Sequence, residues 1–266
     1  MQRRRLGLIA SLVVATGAPP PEWAARATTT EAPVHVVVNI PAFRLEVWSH
    51  DTLLRVMPVA VGMRNFKSPR GAFEITSIEW NPWWIPPDHP WAAGQKPTPP
   101  GPANPMGRVK LNFRPLYFLH GSPLEGSIGT SASHGCIRLK NADAIALATL
   151  VLHAGSPRLT DAELSAMAAS GATRLIELDE AVGLDMRYDR VVVRSDSIFI
   201  YQDIYKLSAR SLRDEVVAVL DARGPDVSVN VAAVDAFTSR VPAAGKGIAI
   251  RELVVRQSPT RKPERR

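Results

Sequence analysis

Nine prolines fall between residues 81 and 105, together with Trp83, Trp84 and Trp91. Proline fixes φ and removes a backbone donor, so no helix or central strand survives that density. The stretch must be a long loop, and such a loop inside a compact domain is either functional or disordered. Three tryptophans favour order, and the segment reads as a lid or wall packed beside a site. The competing expectation is a structural loop that covers a sheet edge.

On either side of this loop the chain alternates short β-branched runs with turn signals. Residues 34–40, 43–48, 53–61 and 72–80 read as strands before it, and 109–113 and 115–119 as strands after it. An alanine- and leucine-rich helix is expected over 141–153, with Asn141 as N-cap and Gly155 as terminator. Thr160-Asp161-Ala162-Glu163 is a capping box for a second, short helix. Strands at 173–178, 190–193 and 197–202, a helix at 208–220, and strands at 227–231 and 247–255 complete the reading. The expected organisation is a mostly β domain at 33–155 and a smaller C-terminal α+β subdomain at 156–255.

The two ends differ from the body. Met1-Gln2-Arg3-Arg4-Arg5 precedes an apolar run over 6–18 that is too short to anchor stably in a bilayer. Ala25-Arg26-Ala27 fits a small-x-small cleavage site, so residues 1–27 are read as a signal peptide of an exported chain; an uncleaved anchor is the alternative. Residues 256–266 read as a basic, disordered tail, with peripheral membrane contact at most. The formal charge is +7, but residues 1–27 contribute +3 and residues 251–266 contribute +4. The body is near neutral, which excludes a basic nucleic-acid face.

Cys136 is the only thiol. Exported proteins normally use cysteine in disulfide pairs, and a lone one cannot staple its own fold. It is an unused thiol, an intermolecular link or a reagent. Its setting, Ser133-His134-Gly135-Cys136-Ile137-Arg138, favours a reagent, because a thiol becomes a nucleophile when an imidazole takes its proton. Two histidines are near in sequence. His134 shares the tight turn of the thiol, where residues two apart rarely face each other. His120 ends a separate strand and is the better candidate base. The N–H groups of His134, Gly135 and Cys136 offer an oxyanion hole, and Gly135 permits close approach. His134 shapes the loop or shares in proton work; Ser133 bonds within the loop or is a plain turn residue. Arg138 holds a substrate carboxylate or braces the loop through Asp143. Trp83 and Trp84 are expected to line the substrate cleft. His89, within the same loop, is read as merely solvated. Zinc would need further acidic or Cys-x-x-Cys partners, so neither a metal nor another cofactor is expected.

His120-Gly121, then Ser133-His134-Gly135-Cys136-Ile137-Arg138-Leu139 with Asp143 beyond, resembles the catalytic domain of the L,D-transpeptidases (the YkuD family). Asn81-Pro82-Trp83-Trp84-Ile85-Pro86-Pro87 and Pro99-Pro100-Gly101-Pro102-Ala103-Asn104-Pro105-Met106-Gly107 extend the likeness to roughly residues 33–155. Residues 182–206, ending Tyr201-Gln202-Asp203-Ile204-Tyr205, are faintly similar to the tail of larger murein transpeptidases. The resemblance implies a β-sandwich-like catalytic domain with a short helix and a location in the periplasm or cell envelope. It implies a Cys136 thioester, with the carbonyl of Gly121 orienting His120. The partners it implies are peptidoglycan stem peptides, with another stem, a lipoprotein lysine, a free D-amino acid or water as acceptor. A wall-binding scaffold without turnover is the alternative from a different class.

Overall fold

Residues 34–224 and 227–256 are described by the computed structural model. The segment 1–27, expected to be a signal peptide, lies outside them, and of the expected tail only Arg256 lies within. In chain order the described elements are β1 (His35–Asn39), β2 (Arg44–Ser49), β3 (Thr52–Pro58), β4 (Val61–Gly62), β5 (Gly71–Trp80), β6 (Val109–Arg114), β7 (Tyr117–Ser122), β8 (Ser131–Ser133) and β9 (Ile137–Lys140). They continue with α1 (Asn141–Gly155), α2 (Asp161–Ala169), β10 (Arg174–Arg187), β11 (Val191–Arg194), β12 (Ser197–Ile200), α3 (Leu212–Asp221), β13 (Val227–Val229), α4 (Val231–Thr238), β14 (Lys246–Ala249), α5 (Ile250–Leu253) and β15 (Val254–Arg256).

The chain is mostly β. Eight strands join in one hydrogen-bonded sheet, ordered β3-β2-β1-β10-β5-β6-β7-β9. Its register separates two chemistries. Ile78, Leu111, Leu119 and Ile137 are cross-strand partners on β5, β6, β7 and β9, and all four are fully buried. One residue along, Glu79, Lys110, His120 and Arg138 form the neighbouring row. Side chains alternate faces along a strand, so this polar row points away from the apolar one. The apolar row belongs to a core shared with α1, which buries Ala144, Leu147, Ala148, Val151 and Leu152, the i, i+3, i+4 spacing of one helical stripe.

Four expectations need correction. The domain boundary at residue 156 falls inside this first core: α2 contributes Leu164 and Met167 to it, and β10 lies between β1 and β5 in the large sheet. A second core begins only after β10, where β11, β12 and β14 form a sheet covered by α3, α4 and α5. Asn141 is not a side-chain cap; Lys140 takes the cap position, and the Asn141 amide accepts from the N–H of Arg108 at 2.9 Å. The strand expected over 227–231 stops at Val229, because the Asn230 side chain accepts from the N–H of Ala233 at 3.1 Å and opens α4. Likewise, 247–255 is broken by the single turn of α5. The capping box of α2 is present, with Thr160 and Glu163 each bonding the other's backbone N–H.

The proline-rich loop is ordered by two buried asparagines. Asn104 donates to the carbonyls of Pro82, Thr98 and Pro99 at 2.8–3.1 Å and accepts from the N–H of Met106 at 2.8 Å. Asn81 donates to Ser170 and Ala172 carbonyls and accepts from Arg108 Nε at 3.0 Å. Proline offers no N–H, so these side chains satisfy carbonyls that no ladder can reach.

Candidate active site

The thiol sits one residue ahead of β9, in the turn joining β8 to β9. Cys136 stands just outside the β7–β9 pairing, and Arg138 and Lys110, which flank His120 in the polar row, act on it. The residue is half-buried, and its Sγ donates to the carbonyl of Leu116 at 3.6 Å. Burial pushes the thiol up to about 11; the N–H of Phe118, Arg138 and Lys110 pull the other way by favouring the thiolate. The start of β7 thus presents an acceptor to the thiol and a donor to the thiolate.

His120 is 2% exposed, and its Nδ1 lies 2.7 Å from the carbonyl oxygen of Gly121. A carbonyl only accepts, so Nδ1 carries the hydrogen and a neutral ring leaves the Nε2 lone pair bare. Burial lowers the ring to about 4; the Gly121 carbonyl opposes this, and Arg138 and Lys110 add to it. Gly121 is required at its place, because a Cβ there would lie 2.3 Å from Asn141 Oδ1. The amide that is lost as a helix cap is used here: it packs the backbone carrying the carbonyl.

Acid should destabilise the fold through this ring. Unfolded, the imidazole takes a proton near 6.5; folded, it resists until about 4. Between those values the unfolded chain binds more protons, so stability is present above 6.5 and is lost as pH falls, by about 3 kcal/mol at most. Thermal melts from pH 7 to pH 4 check this, and His120→Gln should flatten part of the slope.

The turn bearing the thiol is held from inside and from both sides. Ser133 Oγ accepts from the N–H of Gly135 at 3.0 Å and donates to the carbonyl of Cys136 at 2.5 Å. The N–H of Gly135 is therefore already spoken for. Gly135 has φ +115, and a Cβ there would meet Tyr117 Cε1 at 2.7 Å. Both the angle and the contact require glycine.

His134 stacks on Trp91 with ring centroids 4.0 Å apart and meets the Phe66 edge at 4.6 Å. Partial burial lowers its pKa, with Arg138 and His89 adding to the effect. Its ring belongs to an aromatic cluster over the turn. His89 is exposed but is not simply solvated: its ring meets Phe66 at 5.8 Å, and its Nδ1 accepts from the N–H of Trp91.

Arg138 is half-buried, and among the described residues no ion pair joins it to Asp143. The bracing alternative therefore lapses. Lys110 pairs with Glu79 at 2.7 Å. Trp83 is 45% exposed, and Trp84 is half-buried with its backbone paired to Thr98. The loop meets the turn through Trp91, whose ring stacks on His134. Nothing in the spacing separates Trp91 from its two neighbours, because only the fold of the loop decides which ring turns inward.

Residues 33–193 match the model of the L,D-transpeptidase catalytic domain (YkuD). The chain is 29% identical to the YkuD protein of Bacillus licheniformis over 45% of this chain and 61% of that one. It is 32% identical to the "Probable L,D-transpeptidase ErfK/SrfK" of Salmonella typhimurium over 41% of this chain and 38% of that one. The matched segment thus spans less than two thirds of either relative. An L,D-transpeptidase structure from Mycobacterium smegmatis aligns at TM-score 0.38 and 17% identity over 59% of each chain, a likeness too slight to add weight. With more than half of its residues matched by the family model, the chain belongs to the L,D-transpeptidase catalytic domain family.

Proposed function

We propose that the chain is an exported peptidoglycan L,D-transpeptidase working through a thioester on Cys136. One observation carries the reading: His120, buried, neutral and tied by Nδ1 to Gly121, feels the same two cations, Arg138 and Lys110, as the thiol. A base near 4 and an acid near 11 leave the resting pair uncharged. The proton therefore passes from Sγ to His120 Nε2 as the sulfur bonds to the carbonyl carbon, not before.

The donor is a tetrapeptide stem, attacked at the carbonyl of its third residue. The S–C bond forms and the carbonyl electrons move to oxygen, where the N–H groups of His134 and Cys136 receive them. The oxyanion collapses, the C–N bond breaks, and the terminal D-amino acid leaves with the proton held by His120. An acceptor amine then gives its proton to His120 and attacks the thioester. An amide forms and the sulfur leaves as thiolate, to be reprotonated. The acceptor is another stem, a lipoprotein lysine or a free D-amino acid; water makes the same step a carboxypeptidase reaction. Arg138, half-buried and without a carboxylate partner among the described residues, is suited to a carboxylate of the stem.

Incubation with a purified disaccharide tetrapeptide tests this. Loss of the terminal residue with formation of a stem–stem dimer or an exchange product supports it; a chain that binds the stem and never turns it over is a scaffold.

The aromatic cluster gives a separate expectation. Trp91→Ala should lower kcat/KM for the stem roughly tenfold, about 1.4 kcal/mol, through loss of the stack that seats His134. Trp83→Ala and Trp84→Ala should each cost less than Trp91→Ala. Steady-state kinetics beside melting curves separate a site effect from a loss of fold.

A further inference from the structure

The site description leaves unused a buried tyrosine far along the chain. Tyr205 is 2% exposed, and its ring packs into the core of the large sheet although its neighbours in sequence lead to the second core. Its hydroxyl donates to the carbonyl of Gly62 at 2.8 Å and accepts from the N–H of Ser68 at 3.1 Å. These two groups are the two ends of one loop, which a further bond from the N–H of Gly62 to Ser68 Oγ, 2.9 Å, draws together. One hydroxyl thus clips the loop shut.

That loop touches the catalytic turn at every level. β4 pairs with β8, and the N–H of Met63 donates to the carbonyl of Ser133 at 2.8 Å. Phe66 lies edge-on to His134, and the Lys67 carbonyl faces Gly135, 3.5 Å from where a Cβ would be. Just upstream, Ala60 exchanges two backbone bonds of 2.9 Å with Arg138. The residues flanking the thiol therefore rest on segment 60–68.

Tyr205 is itself fixed. Its N–H donates to Tyr188 Oη at 2.7 Å, the two rings stack at 5.4 Å, and Tyr188 donates to Asp203 Oδ1 at 2.7 Å. Asp203 also accepts from the N–H groups of Leu207 and Ser208, both at 2.9 Å. The chain from Asp203 through Tyr188 and Tyr205 to the 62–68 loop is fully hydrogen-bonded, the condition under which a buried polar network rigidifies its surroundings.

We infer that Tyr205 is a positioning residue for the nucleophile: its hydroxyl closes the 62–68 loop, and the closed loop holds the Ser133–Cys136 turn in its reactive conformation. The segment that follows the large sheet is then a working part of the site rather than an appendage. The inference rests on the transpeptidase reading for its catalytic half and on hydrogen bonds alone for its structural half.

The test is Tyr205→Phe in the full chain, which removes one oxygen and keeps the ring. Two readouts are needed. Hydrogen exchange should accelerate at residues 62–68 and 131–138 while the amides of β1, β5 and β10 stay protected. Acylation by stem peptide should show a rate constant lowered roughly tenfold with half-saturation changed less than about twofold, since misplacement of a reacting group acts on rate more than on binding. Should this variant melt too low, Tyr188→Phe leaves the Tyr205 hydroxyl in place and should give the same pattern, weaker. Unchanged exchange at 131–138, or an acylation rate within twofold of the parent beside a lowered Tm, would overturn the inference. If the unaltered protein forms no acyl-enzyme, the transpeptidase reading fails and takes the catalytic half with it; exchange still decides whether the hydroxyl holds the turn.

Discussion

Cys136→Ala should abolish acylation and turnover, a loss of more than about 10⁴-fold, while the fold persists. The sulfur is the one atom in the mechanism that forms a covalent bond, and this chain has no second thiol to replace it. Little else depends on it. It makes no disulfide, and its hydrogen-bond partners are the Leu116 carbonyl at 3.6 Å and the N–H of Phe118. Truncation of a half-buried side chain of this size should cost no more than about 1 kcal/mol, a few degrees in Tm. Turnover assays beside melting curves measure both. A variant that still crosslinks stems would remove the cysteine from the mechanism.

His120→Gln should lower the acylation rate by about 10²–10⁴, the usual worth of a general base, and His134→Gln should lower it less. The asymmetry follows from surroundings. His120 is buried with its Nδ1 fixed, so its Nε2 has one direction in which to act. His134 is stacked on Trp91, meets Phe66 edge-on, and owes its place to ring contacts. The pH profile offers a second discriminator. The base must be neutral to accept a proton, so kcat/KM should hold through the neutral range and fall only as pH drops toward about 4. His120→Gln should lack that acid limb. A larger loss for His134→Gln, or an acid limb that survives in His120→Gln, would reverse the roles.

How much of this is legible in the sequence depends on whether the information is local. The strands up to residue 80 are, because β-branched runs punctuated by Pro, Gly and Asn declare themselves without partners. So is the thiol turn, since Ser133 to Arg138 is contiguous. β10 is so only at its start, where a strand is expected over 173–178. Its acidic middle, Glu177-Leu178-Asp179-Glu180, hides the rest, which exists because His35 pairs with Gly183 and Phe73 with Leu184. Periodicity does not report pairing between segments so far apart. Asn141 fails for a related reason: a good cap by type, it is drawn off by the Arg108 N–H, in the turn just before β6. The same limit hides the site's supports. Trp91, Phe66 and Tyr205 are ordinary core or loop residues in one dimension, and only the fold brings them to His134 and to the loop beneath it.

The most direct measurement is intact-mass spectrometry of the reduced protein after brief exposure to a tetrapeptide stem, with peptide mapping of any adduct. The expected result is a mass gain equal to the donor less its terminal D-amino acid, carried by the peptide containing Cys136, released by hydroxylamine as a thioester is, and missing from Cys136→Ala. A folded, reduced protein that gains no acyl group, or gains it on another residue, would contradict the mechanism.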